Sequence, residues 1–599
     1  MTPRPRAGMD SNGAPADLAP VSPSTQIYLQ VCRYIYMSPI TVYCLTHASS
    51  LHLYLLCLSP PLESIYRVHS IMIPGSYMLC FQFVGCCLLL LLYSLRFRSS
   101  SPGHGPRSYP VIGCLVAFYE NRRRLLDWYT EMLSASPTQT IVVDRLGARR
   151  TVVTANPVNV EHILKSNFGN YPKGKPFTDV LGDLLGKGIF NVDGETWYAQ
   201  RKLVSHEFSA RTLRELEVAV LEAEALDRLV PALEAAAELG GGAVDMQDVL
   251  RRFAFDVICR VSLGVDPGCL DPALPAPRLA TAFDAAAGII ARRGAAPVSA
   301  VWKIKRALDI GSERRLREEV KVIHEAVMEL IRSRKKERFL VNGARNDLLS
   351  RMIECGYDDE EIRDMVISFI MAGRDTTSSA LTWFFWLLMR HRDVERDVLE
   401  EIASMRQQKG SSSSSNAGEG FDLDDYRRMR VLHAALSETM RLYPPVAWDS
   451  KHAAAADVLP DGTRVGRGDR VTYFQYGMGR MEAIWGSDAG DFSLDRWLTL
   501  PSDGTAGGVS PFKYPVFQGG PRTCLGREMA FAQMKFVACA VLRRFDLRPV
   551  DEGRTPVFLP LLTSHMDGGL KVTVRRRAVE TTRHGAMRDT QLQLEKSIN

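Results

Sequence analysis

No cysteine framework runs through this chain. Its twelve cysteines follow no regular spacing, and three of them, Cys80, Cys86 and Cys87, sit in an apolar segment. That excludes a disulfide-stapled scaffold and fits a reducing compartment with free thiols. Strong charge is missing too: the net charge is only +6 over 599 residues. So mild an excess permits a basic face toward an acidic partner or lipid headgroups but points to no nucleic-acid partner. No internal repeat is visible. What remains is an ordinary globular composition, 46% hydrophobic and 24% charged, with ample material for a large core.

Against that background one stretch stands out, Phe517-Gln-Gly-Gly-Pro-Arg-Thr-Cys-Leu-Gly526. Gly519, Gly520 and Pro521 enforce a tight loop, and Arg522 stands two residues before Cys524. Gly526 opens an apolar helix expected over Arg527–Leu542. The sulfur is therefore expected at a helix N-terminus, beside free N–H groups and an arginine, where a thiolate is stabilised. A thiolate serves as nucleophile, redox centre or metal ligand. With no C-x-x-C and no histidine partner nearby, zinc and a thioredoxin-type site are disfavoured.

The ten residues fit F-x-x-G-x-R-x-C-x-G and resemble the haem-binding loop of the cytochrome P450 superfamily. The resemblance implies that Cys524 is the axial thiolate of haem b iron, with Phe517, Gly520, Arg522 and Gly526 around the cofactor. Three further motifs stand in the expected order. Trp197 and Arg201 lie at i and i+4, on one helical face, and resemble the superfamily's haem-contacting helix. With Arg522 they would neutralise two haem propionates. Met365–Leu388 is apolar almost all round, hence a buried helix, with an expected interruption at Ala372-Gly-Arg-Asp-Thr-Thr377. That segment resembles the superfamily's A/G-G-x-D/E-T pattern. Ala372 would then border the haem, small residues would leave room for dioxygen, and Asp375 and Thr376 would assist proton delivery. Glu438 and Arg441 form E-x-x-R, and Arg496 in Phe492-Ser-Leu-Asp-Arg-Trp497 is their expected third partner. All three are read as structural. Leu494 replaces the expected proline, which predicts a less rigid loop.

Several stretches resemble the plant branch containing fatty-acid ω-hydroxylases and jasmonoyl-amino-acid hydroxylases: Asn170–Phe177, Gly188–Gly194, Ser205–Phe208, Trp448–Ala454 and Tyr476–Glu482. Gln475 stands where that branch has proline, a departure expected to loosen the proximal loop. The resemblance implies a mainly α fold with a small β region, NADPH–cytochrome P450 reductase as electron donor, and a fatty-acid or jasmonoyl-amino-acid substrate hydroxylated at or near its chain end. Lys513, Arg527, Lys535, Arg543 and Arg544 would offer the reductase positive charge. The rival readings are a reductase-independent haem-thiolate lyase or isomerase of fatty hydroperoxides, and an inactive haem-binding membrane protein.

The chain divides on this reading into an extension over 1–70, a transmembrane anchor over 71–95, a Pro/Gly hinge over 96–110, the haem domain over 111–575 and a tail over 576–599. The 71–95 run carries no charge and is long enough to span a bilayer, and Arg96 and Arg98 follow it. The positive-inside rule then leaves the catalytic domain in the cytosol, on a single-pass anchor in the endoplasmic reticulum membrane. Residues 1–70 are expected to lie outside the family's pattern, with Met72 or Met78 as the working start. The runs 140–144 and 150–154 predict a hairpin, and Gln408–Gly420 and Ser502–Ser510 predict surface loops.

Overall fold

The computed structural model describes residues 105–577, except 111, 210, 239–241, 271–277, 297, 341–346, 411–420 and 500–508; of the earlier residues it describes only Gly85. The chain separates into two compact units, 1–90 and 91–599. The expected extension, anchor, first half of the hinge, and nearly all of the tail lie outside the described residues. So do most of the two predicted low-complexity loops. Among the described residues no helix is long and apolar enough to cross a membrane. All six cysteines in the described region are free.

The second unit is mainly helical, as the periodicity predicts. The helices that build the site are α1 (Lys175–Leu185), α2 (Gly194–Ser209), α3 (Met246–Leu263), α4 (Arg278–Ala295), α5 (Gly311–Leu340), α6 (Asp359–Arg390), α7 (Arg430–Leu442) and α8 (Arg527–Leu542). Helix α6 is the axis. Asp358 caps it by accepting the Glu361 N–H at 2.8 Å, and Asp359, Glu360 and Glu361 fill its first turn, where the helix dipole favours negative charge. Its apolar residues are buried on every side, so α3, α5 and α7 all pack against it. The predicted interruption at Ala372–Thr377 does not occur: α6 is helical through all 32 residues. A threonine hydroxyl bonded one turn back is compatible with continuous helix, and Gly373 is needed for a different reason. A Cβ there would come within 2.5 Å of Ile258 Cδ1 on α3, so glycine permits the close crossing of these two helices.

The β region is small. Strands β1 (Thr140–Val143) and β2 (Thr151–Thr154) form the predicted hairpin, with Thr140 opposite Thr154. β2 pairs in parallel with β4 (Arg470–Tyr473), and β4 pairs antiparallel with β3 (Asp449–His452), giving the order β1-β2-β4-β3. This sheet gathers residues some 300 positions apart beside the cavity described below.

Behind α7 lies a buried ionic network. Glu438 and Arg441, both without solvent exposure, form a two-pronged pair at 2.7 Å on each prong. Arg496 Nε joins at 2.9 Å, as expected from the motif, and Trp497 Nε1 and the Ser493 N–H add bonds of 2.8 and 3.0 Å. Arg441 also donates to the carbonyls of Ala489 (2.7 Å), Asp491 (2.9 Å) and Gly479. Leu494, at the proline position, is buried in the core and starts the short helix Asp495–Leu498. Glu438 thus satisfies two guanidiniums at once, and removing it strands both. Glu438→Ala is expected to lower unfolding stability by roughly 3–5 kcal/mol, the scale for breaking a buried ion pair. Urea unfolding followed by tryptophan fluorescence checks this; an unchanged midpoint would remove the network from the fold's stability.

Candidate functional site

A cavity of ≈ 990 Å³ lies between α6 and the loop that opens α8. Its size is at the upper end of the range for cofactor and ligand sites, with room for more than one small ligand. Cys524 lines it, with Phe517, Arg522, Leu525 and Gly526 from the same loop. From α6 come Ala372, Gly373, Thr376 and Thr377, and from α2 come Trp197 and Arg201. Sequence motifs separated by more than 300 residues thus meet at one place.

Two expected site residues do not line it. Gly520 sits behind the loop: its φ of +62° is left-handed, and a Cβ there would fall 2.0 Å from the Leu164 carbonyl oxygen. It shapes the loop from behind. Asp375 is buried but faces away, beside Arg374 (3.4 Å), and its Oδ1 has no hydrogen-bond partner. Its side chain lies beside Arg374, whereas Thr376 and Thr377 line the cavity. Thr376 Oγ1 donates to the Ala372 carbonyl at 2.6 Å.

Cys524 counts as exposed, yet protein surrounds it; its open side is the cavity. Burial pushes its thiol up from the ordinary value, while the Gly526 N–H and the charges of Arg201 and Arg527 work against that rise. Helix end and cations therefore soften the cost of burying a thiolate without overcoming it, which corrects the expectation that this environment favours a thiolate unaided. The nearby charge also comes from residues other than the expected Arg522. Arg201 donates to the Thr523 carbonyl at 2.6 Å, while Arg522 stacks on the Trp197 ring at 4.5 Å and pairs with Asp193 at 2.7 Å. The Cys524 N–H donates to the Phe517 carbonyl at 2.8 Å, closing the loop. Gln475, expected to loosen this region, instead donates from its side-chain amide to the Pro515 carbonyl at 2.8 Å.

A second cluster was not legible as a site. Asp449 on β3 is held by Lys173 (2.8 Å) and Lys451 (2.9 Å) and accepts from the Tyr473 hydroxyl at 2.7 Å. Tyr473 also meets Gln518 of the cysteine loop. Burial alone would raise the Asp449 carboxyl, but the two lysines hold it well below the usual range; burial pulls Lys451 down. Asp193 in turn accepts the N–H groups of Lys173 (3.0 Å) and Gly174 (3.1 Å). Three stretches noted only as branch text, Asn170–Phe177, Gly188–Gly194 and Trp448–Ala454, therefore interlock beside the cysteine loop. Their lysines and aspartates were the available signal, but nothing local indicates which pairs with which.

Charge counting tests whether haem fits. On the part of the cavity beside the cysteine loop stand Lys173, Lys451, Arg201 and Arg522, with Asp449 between the two lysines and Asp193 paired with Arg522. In this cluster the cations outnumber the two carboxylates even though burial pulls Lys451 down, an excess of positive charge in a largely buried place that propionates would balance. The residues fit.

The basic patch expected on the cysteine side is smaller than predicted. Lys535 is buried and donates to the carbonyls of Tyr426 (2.5 Å) and Met429 (3.0 Å) at the end of a short helix. Lys513, Arg527, Arg543 and Arg544 are partly exposed.

Comparison with known proteins agrees with this geometry. The family profile described as Cytochrome P450 matches residues 103–569. The chain is 54% identical to cytochrome P450 94B1 of Arabidopsis thaliana over 514 residues, 84% of this chain and 98% of that protein. Cytochrome P450 94B3 of the same plant is 55% identical, covering 79% and 92% respectively. Cytochrome P450 94A1 of Vicia sativa is 41% identical, covering 79% and 90%. Among solved structures, the cytochrome P450DA haem domain superposes with a TM-score of 0.64 at 21% identity, over 80% of this chain and 99% of that one, which speaks for the fold.

Proposed function

The chain belongs to the cytochrome P450 family, a haem-thiolate monooxygenase, and from that premise we propose that it hydroxylates an acyl substrate at or near its chain end. The observation that carries this reading is one continuous cavity: Cys524 and Thr376 both line it, and apolar side chains such as Phe177, Ile189 and Phe369 make up much of its wall. A flexible chain threaded along such a wall presents its end, not its head, to the sulfur side.

When bound, the haem supplies dioxygen activation and insertion of one oxygen atom into an unactivated C–H bond. The protein's own residues do the rest. Cys524 would hold the iron, with the Gly526 N–H, Arg201 and Arg527 keeping the sulfur's negative charge tolerable. Trp197, Arg201, Arg522, Lys173 and Lys451 would receive the propionates, and Phe517 and Ala372, which line the cavity, would border the cofactor. Thr376, its proton committed to Ala372, keeps hydroxyl lone pairs free to accept from a water in the cavity. Asp375 would feed protons to that water from the far side of α6. Electrons would come from NADPH–cytochrome P450 reductase at the face carrying Lys513, Arg527, Arg543 and Arg544. The uncharged 71–95 run would anchor the protein in the endoplasmic reticulum membrane, with this domain in the cytosol. The 94-type relatives support the substrate branch, and between its members the text around Gly188–Gly194 and Ser205–Phe208 favours jasmonoyl-isoleucine over a plain fatty acid.

Three outcomes test this reading. Cys524→Ala is expected to abolish the ferrous–CO band of a thiolate-ligated haem; a wild-type band in that variant would refute the ligand assignment. Thr376→Ala should keep NADPH consumption while losing product, and full coupling would take Thr376 out of the mechanism. Soret titration of the ferric protein with lauric acid and jasmonoyl-isoleucine in parallel is expected to show high-spin shifts, saturating far earlier with the conjugate. The reverse order would make it a fatty-acid ω-hydroxylase, and no shift with either would remove acyl substrates.

A further inference from the structure

Behind α6, away from the cavity, lies a cluster of polar groups that the cysteine site does not use. Two guanidiniums, Arg374 of α6 and Arg251 of α3, both pair with Asp284 Oδ1 of α4, the first at 2.7 Å. Three atoms of the cluster are buried with no hydrogen-bond partner among the described residues: Arg374 Nε, Arg251 Nε and Asp375 Oδ1. Two donors and one acceptor at one place suit water, since each otherwise bears an uncompensated desolvation cost. Exposure falls along the cluster, from 37% for the Asp284 side chain through 18% for Arg251 to 8% for Asp375. The cluster therefore leads from the protein surface to the acid behind Thr376.

A histidine is wedged into it by a hairpin of two strands, Phe558–Pro560 and Ser564–Met566. The Ser564 hydroxyl shares a 2.7 Å hydrogen bond with Ser379, one turn beyond Asp375 on α6. Met566 donates its N–H to the Gln247 side chain at 2.8 Å and accepts from it at 3.0 Å; Gln247 stands one turn before Arg251 on α3. His565 sits between these two clamps and is partly exposed. Its Nδ1 lies 3.0 Å from the Thr563 carbonyl oxygen, which can only accept, so Nδ1 carries the proton and Nε2 of the neutral ring holds the lone pair. The charged groups acting on the ring come from three helices: Arg251, Asp375 and Asp284. Burial and then Arg251 push the imidazole below its ordinary value, while Asp375, the Thr563 carbonyl and Asp284 pull it back.

We propose that His565 is the solvent-side proton relay of Asp375, taking a proton from water at Nε2 and passing it, through water held by Arg251 and Arg374, to Asp375 Oδ1. The arginines stay charged at any pH a protein tolerates, so they hold water but give up no proton of their own. Asp284 is occupied by both. An imidazole is the group of this cluster that gains and loses a proton near neutrality. The same nitrogen receives and releases the proton, only N–H and O–H bonds change, and each group returns to its starting state. His565 acts through Asp375 and touches no substrate. The inference rests on the reading of Asp375 as the proton source behind Thr376, and adds where that acid is refilled.

Two measurements on the holoprotein test it. In the diamagnetic ferrous–CO form labelled with ring-13C histidine, the His565 resonance, identified by its loss in His565→Gln, is titrated. Asp375→Asn removes a charge that favours the imidazolium, so the His565 pKa is expected to fall by about half a unit or more. An unchanged value would overturn the relay, and this arm decides should His565→Gln take up haem poorly. The second measurement is laurate turnover at saturating reductase. His565→Gln is expected to lower kcat about tenfold at pH 8 and less at pH 6, where protons are plentiful, with KM unchanged and a larger solvent deuterium isotope effect. His565→Glu, matched in size but able to carry a proton, should recover part of the rate. If Asp375→Asn slows turnover while His565→Gln keeps the wild-type pH profile and isotope effect, the relay alone is overturned. Wild-type turnover in Asp375→Asn would overturn the reading of the acid, and the relay with it.

Discussion

Holding one sulfur inside a protein, open only to a cavity, is the constraint on which the rest depends. Burial raises the cost of ionising Cys524, and the protein answers with a backbone N–H from Gly526 and two guanidiniums, Arg201 and Arg527. Arg201 reaches the loop from a separate helix, α2, and is tied to it through the Thr523 carbonyl. The loop itself must turn sharply to aim the sulfur, which requires left-handed backbone at Gly520 against the Leu164 carbonyl. A longer side chain at that position would push the loop away from its support, and the sulfur with it.

Charge is balanced on two levels. Glu438 is buried with Arg441 and Arg496 and is fully hydrogen-bonded, so its network closes within the protein and serves geometry. The cluster of Lys173, Lys451, Arg201 and Arg522 does not close, because Asp449 and Asp193 leave it an excess of positive charge. Closed networks are architecture, while open ones ask for a partner.

How much of this was legible in the sequence follows from how local each signal is. The cysteine loop, α8 and the β1–β2 hairpin are specified by contiguous residues, and each stands where the sequence puts it. The E-x-x-R pair is also local, and its third partner, Arg496, follows from the motif; the Trp497 bond to the same carboxylate does not, since nothing in the text ties an indole to a helix 59 residues away. The Lys173–Asp449–Lys451 cluster depends on β3 pairing with β4 beside the α1 region, a register that no short pattern encodes. Lys535 misled for a related reason. On a sequence it reads as one more surface cation, but its helix is apolar on nearly all sides, and the only way to bury its ammonium was against the carbonyls that end a neighbouring helix.

Helix α6 shows why adjacency in sequence is a poor guide to adjacency in a site. Asp375 and Thr376 read as a pair, and their side chains leave the helix in different directions. Ala372, Thr376 and Ala380 repeat every four residues along the cavity face. Arg374 turns the other way, where it pairs with Asp284 at 2.7 Å and sits beside Asp375. That arrangement keeps a carboxylate, with one oxygen unpartnered, out of the cavity but only one residue away from the hydroxyl that faces it. A carboxylate inside the cavity would oppose the negative charge of a thiolate-ligated haem and compete for its cations. Placed behind the helix, it sits beside Arg374, which is itself held by Asp284. The separation of the pair therefore keeps negative charge away from a sulfur whose ionisation burial already opposes.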